Sequence, residues 1–294
     1  MIKITFLGTG CMQPTKQRNH SAILFSYKGE NLLFDCGEGT QRQFRFAGLK
    51  PARVTKLFIT HWHGDHCFGI PGLISAMKAD GCEGILEIYG PKGSKTYVNH
   101  MLKGFAYRSL INYNVIEVSH GKIVDTNDFM IHAHPLKHSV SCIGYSFIEK
   151  DKLRIDVKNA EKLGLKGEML GRLQKGKNAT RNGKKILYKD VTYAVKGKRI
   201  SYIADTVKCP GANKLAKGCD ILISEGTHGK DVTKKKYMHL TIKDACEIAT
   251  KGKVKKLIIT HISGRYKESK EVLKEAKKYF KKVQIAEDLM VVEI

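Results

Sequence analysis

The sequence predicts an α/β fold, a layered sandwich in which two sheets pack face to face between outer helices. Three observations carry that expectation. Apolar runs with strand character alternate with segments of helical spacing along both halves of the chain. Two of the strand-like runs echo each other, VTKLFITH over residues 54–61 and VKKLIITH over residues 254–261. Such an echo arises by convergence of two short strands or from two pseudo-equivalent halves, each delivering Thr-His at a strand end. Finally, 42% of the 294 residues are hydrophobic, enough for a substantial core and within reach of one large domain.

Taken in order, residues 2–7 alternate and stop at Gly8-Thr9-Gly10, a strand and its turn. Residues 22–27 and 31–34 flank Lys28-Gly29-Glu30 and read as a hairpin. A buried strand follows over 54–60, then helical spacing over 68–79 and 94–105, then mostly strand signals over 115–147. Strands are expected again at 198–204 and 221–224, helices at 241–251 and 268–280, and closing strands at 283–285 and 289–293.

Residues 150 to about 185 break this pattern. Apolar density falls, basic residues such as Lys158, Lys162, Lys166, Arg172, Lys175 and Lys184 dominate, and glycine recurs at 164, 167, 171, 176 and 183. The stretch reads as an arm or lid inserted into a single domain spanning residues 1–294, or as a solvated surface loop.

Lys and Arg number 52 against 28 Asp and Glu, a net charge of +24. A field of that sign attracts polyanions, so nucleic acid, an acidic membrane surface and an acidic protein all fit. A Lys-rich proteome would produce the same excess. The eight cysteines form no CxxC pair and sit mostly in apolar or tight-turn segments. That usage predicts a reducing, intracellular compartment. The opening MIKITFLGTGCMQP has no long apolar core, which argues against a signal peptide, and no run of about 18 apolar residues predicts a membrane span.

The chemistry concentrates in Thr60-His61-Trp62-His63-Gly64-Asp65-His66, directly after a buried strand. On an extended chain His61 and His63 point the same way and can grip one metal. Asp65 and His66 diverge and can reach a second. Imidazole and carboxylate suit zinc, iron or manganese. Packing alone does not explain four such groups, since burying them unpartnered would be costly. Further ligands must come from other strand ends: His134 or His138, Asp205 after residues 200–204, and His261 at the end of the echo.

The segment from His61 to His66 resembles the HxHxDH signature of the metallo-β-lactamase superfamily. FDCGEGTQRQ over 34–43, FLGTG over 6–10, Arg18-Asn19-His20-Ser21-Ala22 and His261-Ile-Ser263-Gly-Arg265-Tyr266 are similar to the ribonuclease Z family, over essentially the whole chain. The resemblance implies a four-layer αββα sandwich and two Zn²⁺ ions per subunit, with Mn²⁺ or Fe as alternatives. By position, His61, His63 and His138 would hold one ion, Asp65, His66 and His261 the other, and Asp205 would bridge them. His138 is preferred to His134 because the family's ligand comes shortly before a Gly-Tyr pair, here Gly144-Tyr145. Asp35 would orient the histidine loop from behind.

The same resemblance implies roles and partners. Asp65 would accept the proton of the attacking water, and His239, oriented by Glu225, would protonate the leaving 3′-oxygen. Ser263 and Arg265 would bind phosphate. The basic stretch lies where the family carries an exosite arm that grips the tRNA body, although the Gly-Pro pair common there is absent. The implied activity is removal of the 3′ trailer from precursor tRNA, by a cytoplasmic homodimer with no membrane partner. A small-molecule hydrolase of the same fold, a lactonase, arylsulfatase or thioesterase, is the alternative expectation.

Overall fold

A computed structural model describes residues 1–106, 110–229 and 238–294. The chain divides into two compact units: Met1–Asp125 with Ile131–Phe147 and Arg199–Ile294, and Thr126–Met130 with Ile148–Lys198.

Two seven-stranded sheets organise the larger unit. The first runs from one edge to the other as Val291–Glu293, Lys3–Gly8, Ala22–Tyr27, Glu30–Phe34, Lys56–Phe58, Ile85–Gly90 and Asn112–Glu117. Its first four strands pair antiparallel and the rest continue parallel. The second runs Val283–Ile285, Lys256–Thr260, Ile221–Glu225, Arg199–Ile203, Ser141–Glu149, Phe129–Lys137 and Gly121–Asp125. The first four of these pair parallel.

The period-two pleat explains why the sheets stack. Strands 30–34 and 56–58 register Leu33 against Leu57 and Phe34 against Phe58. The leucines face one way, into a core with Phe44, Ile70, Leu73, Ile74 and Val98 from the outer helices. The phenylalanines face the other way. Phe34 and Phe58 stack at 4.9 Å, and both reach Tyr145 of the second sheet, at 5.9 and 5.4 Å between centroids. Aromatic rings thus fill the space between the sheets, each a large buried area with defined geometry. On the far side, helices Pro210–Ala216, Ile242–Lys251 and Ser269–Ala276 cover the second sheet through Leu215, Ile248 and Val272 against Leu222, Leu257 and Ile259. The result is a mixed α/β sandwich with two helical layers outside two sheets.

Expected elements recur with shifted ends. Helix 242–251 starts one residue later than its spacing suggests because Thr241 is its cap, exchanging bonds with Asp244 in a capping box. The strand expected over 54–60 pairs only at Lys56–Phe58. Beyond it, the Thr60 N–H leaves the sheet and donates to Asp35 at 2.8 Å. Helix Thr40–Phe46 and strand Ile85–Gly90 were not expected. The former buries only Thr40, Gln43 and Phe44, too few apolar positions to show a helical period. Among the described residues no helix is long and apolar enough to cross a membrane, and all eight cysteines are free thiols.

The smaller unit contains the basic stretch and continues through Lys198. Strand Lys152–Ile155 pairs antiparallel with Thr192–Val195, and Ala179–Arg181 with Lys184–Ile186. Asn182 and Gly183 both adopt positive φ between the latter pair, the conformation a two-residue hairpin turn requires. Ala160, Leu165, Leu173, Ala179, Ile186 and Val191 form a small buried core. Lys158, Lys162, Lys166, Lys175, Lys184 and Lys185 remain exposed.

Candidate metal centre

Strand ends of the larger unit supply the site. Asp35 follows Glu30–Phe34, Thr60-His61 follows Lys56–Phe58, and Asp205 follows Arg199–Ile203. Glu225 ends its own strand, and His261 follows Lys256–Thr260. The two echo segments therefore occupy corresponding places, each an inner parallel strand handing a histidine to the centre. Asp35 and His261 both adopt positive φ, 58° and 56°. Non-glycine residues take that conformation uncommonly, in turns and in clusters at functional sites.

Two groups of donors converge. His61 Nε2 lies 3.1 Å from His63 Nδ1, which lies 3.2 Å from His138 Nε2. His66 Nε2 and His261 Nε2 stand 3.2 Å apart, with Asp65 Oδ2 3.3 Å from the latter. Asp205 stands between the groups. Its Oδ2 faces His61 Nε2 at 3.6 Å and His138 Nε2 at 3.9 Å, while its Oδ1 faces His66 Nε2 at 3.6 Å and His261 Nε2 at 3.4 Å. His61, His63, His138 and Asp205 make up one potential metal-holding set, and Asp65, His66 and His261 another. His138 stands in the first set, and His134 in neither.

The outward nitrogens are also engaged. Nδ1 of His61 meets Thr60 Oγ1 at 3.1 Å, that of His66 meets Asp35 Oδ2 at 2.8 Å, that of His138 meets the Met238 carbonyl at 3.2 Å, and that of His261 meets Thr227 Oγ1 at 2.9 Å. Such contacts fix ring orientation and aim the remaining nitrogen inward, as at metal sites. Asp35 is itself saturated by Thr60 and by the Tyr202 hydroxyl at 3.0 Å.

These donors fit divalent metal ions. Ligand atoms on a tetrahedral ion at about 2.0–2.1 Å stand about 3.3 Å apart, close to the nitrogen spacings here. Asp205 Oδ1 is buried with no hydrogen-bond partner in the protein, an arrangement that is costly without a cation. Electrostatics agree. Burial pushes the His66 imidazole toward neutrality, but Asp205, Asp35 and Asp65 outweigh it and raise its pKa well above 6.5. Burial likewise opposes charge on His261, and Asp205 foremost reverses it. The carboxylates demand positive charge that protons must supply if metal does not.

A third grouping, Asp205, Glu225, His239 and His261, has a different character. Glu225 already accepts the Thr206 N–H and the Thr227 hydroxyl, each at 2.6 Å, and its Oε2 meets His239 Nδ1 at 3.1 Å. It is a committed hydrogen-bond acceptor. Burial lowers the His239 pKa, but Glu225 and Asp205 outweigh it, and the net shift is upward.

His63, Asp65, His138, Asp205 and His261 open onto a cleft of about 1040 Å³ that Ser263 and the exposed Arg265 also line, together with His239, Met12 and Phe68. Thr227 and Tyr202 were not anticipated. Thr227 shares a short segment with Glu225, which was a usable signal; Tyr202 sits inside an apolar strand and gave none.

A four-layer sandwich with an HxHxDH turn and donors gathered at its strand ends is a protein of the metallo-β-lactamase fold. The chain is similar to the crystal structure of human tRNase Z, short form, with TM-score 0.73 and 28% identity, covering 99% of each chain. It shares that fold with the metallo-beta-lactamase fold protein YhfI from Bacillus subtilis, with TM-score 0.72 and 20% identity, covering 100% of this chain and 99% of that one. Ribonuclease Z of Methanothermobacter thermautotrophicus is 40% identical over 100% of this chain and 97% of its own length. Ribonuclease Z of Streptococcus uberis is 37% identical over 100% of both. The chain belongs to the ribonuclease Z family. Residues 2–158 also match the family model described as Anti-Pycsar protein Apyc1.

Proposed function

We propose that this protein is a metal-dependent endoribonuclease that removes the 3′ trailer from precursor tRNA, leaving a 3′-hydroxyl on the tRNA and a 5′-phosphate on the trailer. The carrying observation is Asp205, whose two oxygens each face a separate histidine group. Full-length kinship with ribonuclease Z supports the substrate.

His61, His63 and His138 would hold one ion, Asp65, His66 and His261 a second, with Asp205 shared and zinc the first choice for donors of this type. Bound there, such ions supply Lewis-acid polarisation of the scissile phosphate and a more acidic water. The chain's own residues supply the proton movements. Burial pushes the Asp65 carboxyl up, but His66 and His261 outweigh it and hold it well below the ordinary range. Asp65 is therefore ionised and takes the proton of the attacking water. The water oxygen bonds to phosphorus as the bond to the 3′-oxygen breaks on the opposite side. His239 gives that oxygen its proton, and Glu225 keeps the imidazole charged and oriented. Ser263 and Arg265 stand at the cleft to bind phosphate oxygens.

The smaller unit is the proposed tRNA-gripping arm, its exposed lysines giving salt-dependent, sequence-independent affinity. A cytoplasmic homodimer, with the arm as part of one domain over residues 1–294, completes the reading. The test is cleavage of precursor tRNA with and without chelator, mapping both new ends and measuring bound metal. We expect chelator-sensitive cutting with the stated ends. Intact precursor alongside hydrolysis of a lactone or thioester would overturn the reading.

A further inference from the structure

Two exposed apolar side chains share the cleft with the carboxylate that takes the water's proton. Phe68 is 64% exposed and Met12 69% exposed, and both line the cleft beside Asp65. Single exposed apolar residues are ordinary on a surface. These two differ because the backbone holds each in place.

Phe68 ends the short helix Gly64–Cys67 that carries Asp65 and His66, its N–H donating to the Gly64 carbonyl at 2.9 Å. Its ring lies directly on Gly64, where a β-carbon would meet ring atoms at 2.3 to 2.8 Å. Only glycine permits that approach. Met12 is held from the other side. Its N–H donates to Asp65 Oδ2 at 2.9 Å, its carbonyl meets His20 Nε2 at 3.0 Å, and its φ is +51°. The Phe68 ring is thus seated on the histidine loop, largely exposed, and lines the cleft. A planar apolar face beside a phosphodiester centre suits a nucleobase, since proteins read unpaired RNA by stacking bases on aromatic side chains.

In-line displacement decides which base. The leaving 3′-oxygen belongs to the last tRNA nucleotide and departs on the His239 side. Asp65 marks the opposite, attacking side. Phe68 and Met12 are both anchored to the Asp65 loop, away from the leaving oxygen. The trailer's 5′-oxygen lies in the equatorial plane between the two sides, so of the two flanking bases the one nearer that loop belongs to the nucleotide that keeps the phosphate. We propose that Phe68 is the stacking platform for the first base of the trailer, with Met12 bounding the same subsite. The proposal rests on the ribonuclease reading above.

The experiment pairs the base with the ring. Metal-loaded wild type, Phe68→Leu and Phe68→Trp are given precursor tRNA with a normal first trailer nucleotide, and the same precursor abasic at that position. Wild type should lose about tenfold in kcat/KM on the abasic substrate, in line with the usual worth of one stacked base. Phe68→Leu should cut both substrates alike, and Phe68→Trp should restore the difference. In stopped flow, 2-aminopurine at that position should be quenched on binding to wild type and to Phe68→Trp before cleavage, and much less by Phe68→Leu. Equal wild-type rates on the two substrates overturn the proposal. So does discrimination that persists in Phe68→Leu, or a loss that appears only when the last tRNA nucleotide is abasic. Failure of wild type to cut either precursor overturns the ribonuclease reading itself, a separable result.

Discussion

Glu225 Oε2 stands 3.1 Å from Nδ1 of His239, and the same carboxylate takes the Thr206 N–H and the Thr227 hydroxyl. Its counterpart in the first sheet is Asp35, which meets His66 Nδ1 at 2.8 Å from the end of the strand beside the other echo segment. The two halves thus repeat a device, a carboxylate at a parallel strand end fixing a histidine. They use it differently. His66 is wholly buried and belongs to a donor group, while His239 reaches the cleft.

That difference predicts a leaving-group effect. His239→Ala should lower kcat on precursor tRNA by about 10²- to 10⁴-fold, because the 3′-alkoxide then leaves without its proton. On bis-p-nitrophenyl phosphate, whose leaving group needs no proton, the loss should be far smaller. Glu225→Gln should show the same pattern in weaker form. Equal losses on both substrates would show that His239 serves something other than the leaving oxygen.

Emptying one donor group should be visible without any assay of turnover. His63 contributes Nδ1 to the group with His61 and His138, and it has no part in the group around His66. His63→Ala should therefore bind about one ion fewer per chain by elemental analysis and lose precursor cleavage. Asp205→Asn, altering the residue that faces both groups, should weaken both ions. Full metal content in His63→Ala would break the assignment.

The arm can be tested by an excision that respects its pairing. Lys152–Ile155 and Thr192–Val195 form one ladder, so both must go together. Asp151 and Lys196 already lie in contact at 2.6 Å, and a short Gly-Ser link between them can replace the intervening residues. The excised protein should bind precursor tRNA at least about tenfold more weakly, with a shallower dependence on salt, since fewer phosphates are neutralised. Hydrolysis of bis-p-nitrophenyl phosphate should persist. Loss on both substrates would instead indicate that the unit supports the catalytic fold.

The site was legible in the sequence where chemistry constrains residue type and spacing. Four donors within six residues have no packing explanation, and the echo of residues 54–61 in 254–261 located a second histidine whose strand lies in the other sheet. What stayed hidden is what the tertiary fold alone creates. Tyr202 reaches Asp35 only because two sheets face each other, and nothing in a buried strand marks one tyrosine as a hydrogen-bond donor. Phe68 reads as the start of a helix by spacing, yet it ends the preceding short helix with its ring on Gly64. The basic stretch looked coreless because its buried residues, such as Ala160, Leu173 and Ile186, follow no regular period, although Asn182-Gly183 was a hairpin signal in plain view.

His132 and His134, on alternate positions of one strand and outside the donor groups, predict an acid limit on stability. Burial lowers the pKa of both below 6.5, and the charge of Arg199 lowers them further. Lys122 adds to the effect at His132, partly opposed by Asp125, while His132, Lys214 and His120 add to it at His134. A histidine whose folded pKa lies below its unfolded value takes up a proton on unfolding. Stability then rises with pH through that window and is lost as pH falls from about 6.5 through the folded pKa. The measurement is the urea denaturation midpoint at several values between pH 7.5 and 5, with chelator throughout so that metal release plays no part. His61 and His138 are also depressed, while His66, His239 and His261 are raised and contribute with the opposite sign. The difference between wild type and the His132→Gln/His134→Gln double variant cancels these shared contributions. That difference should be constant above pH 7 and shift in the variant's favour below about 6.5. A difference independent of pH would mean that neither imidazole is held neutral by the fold.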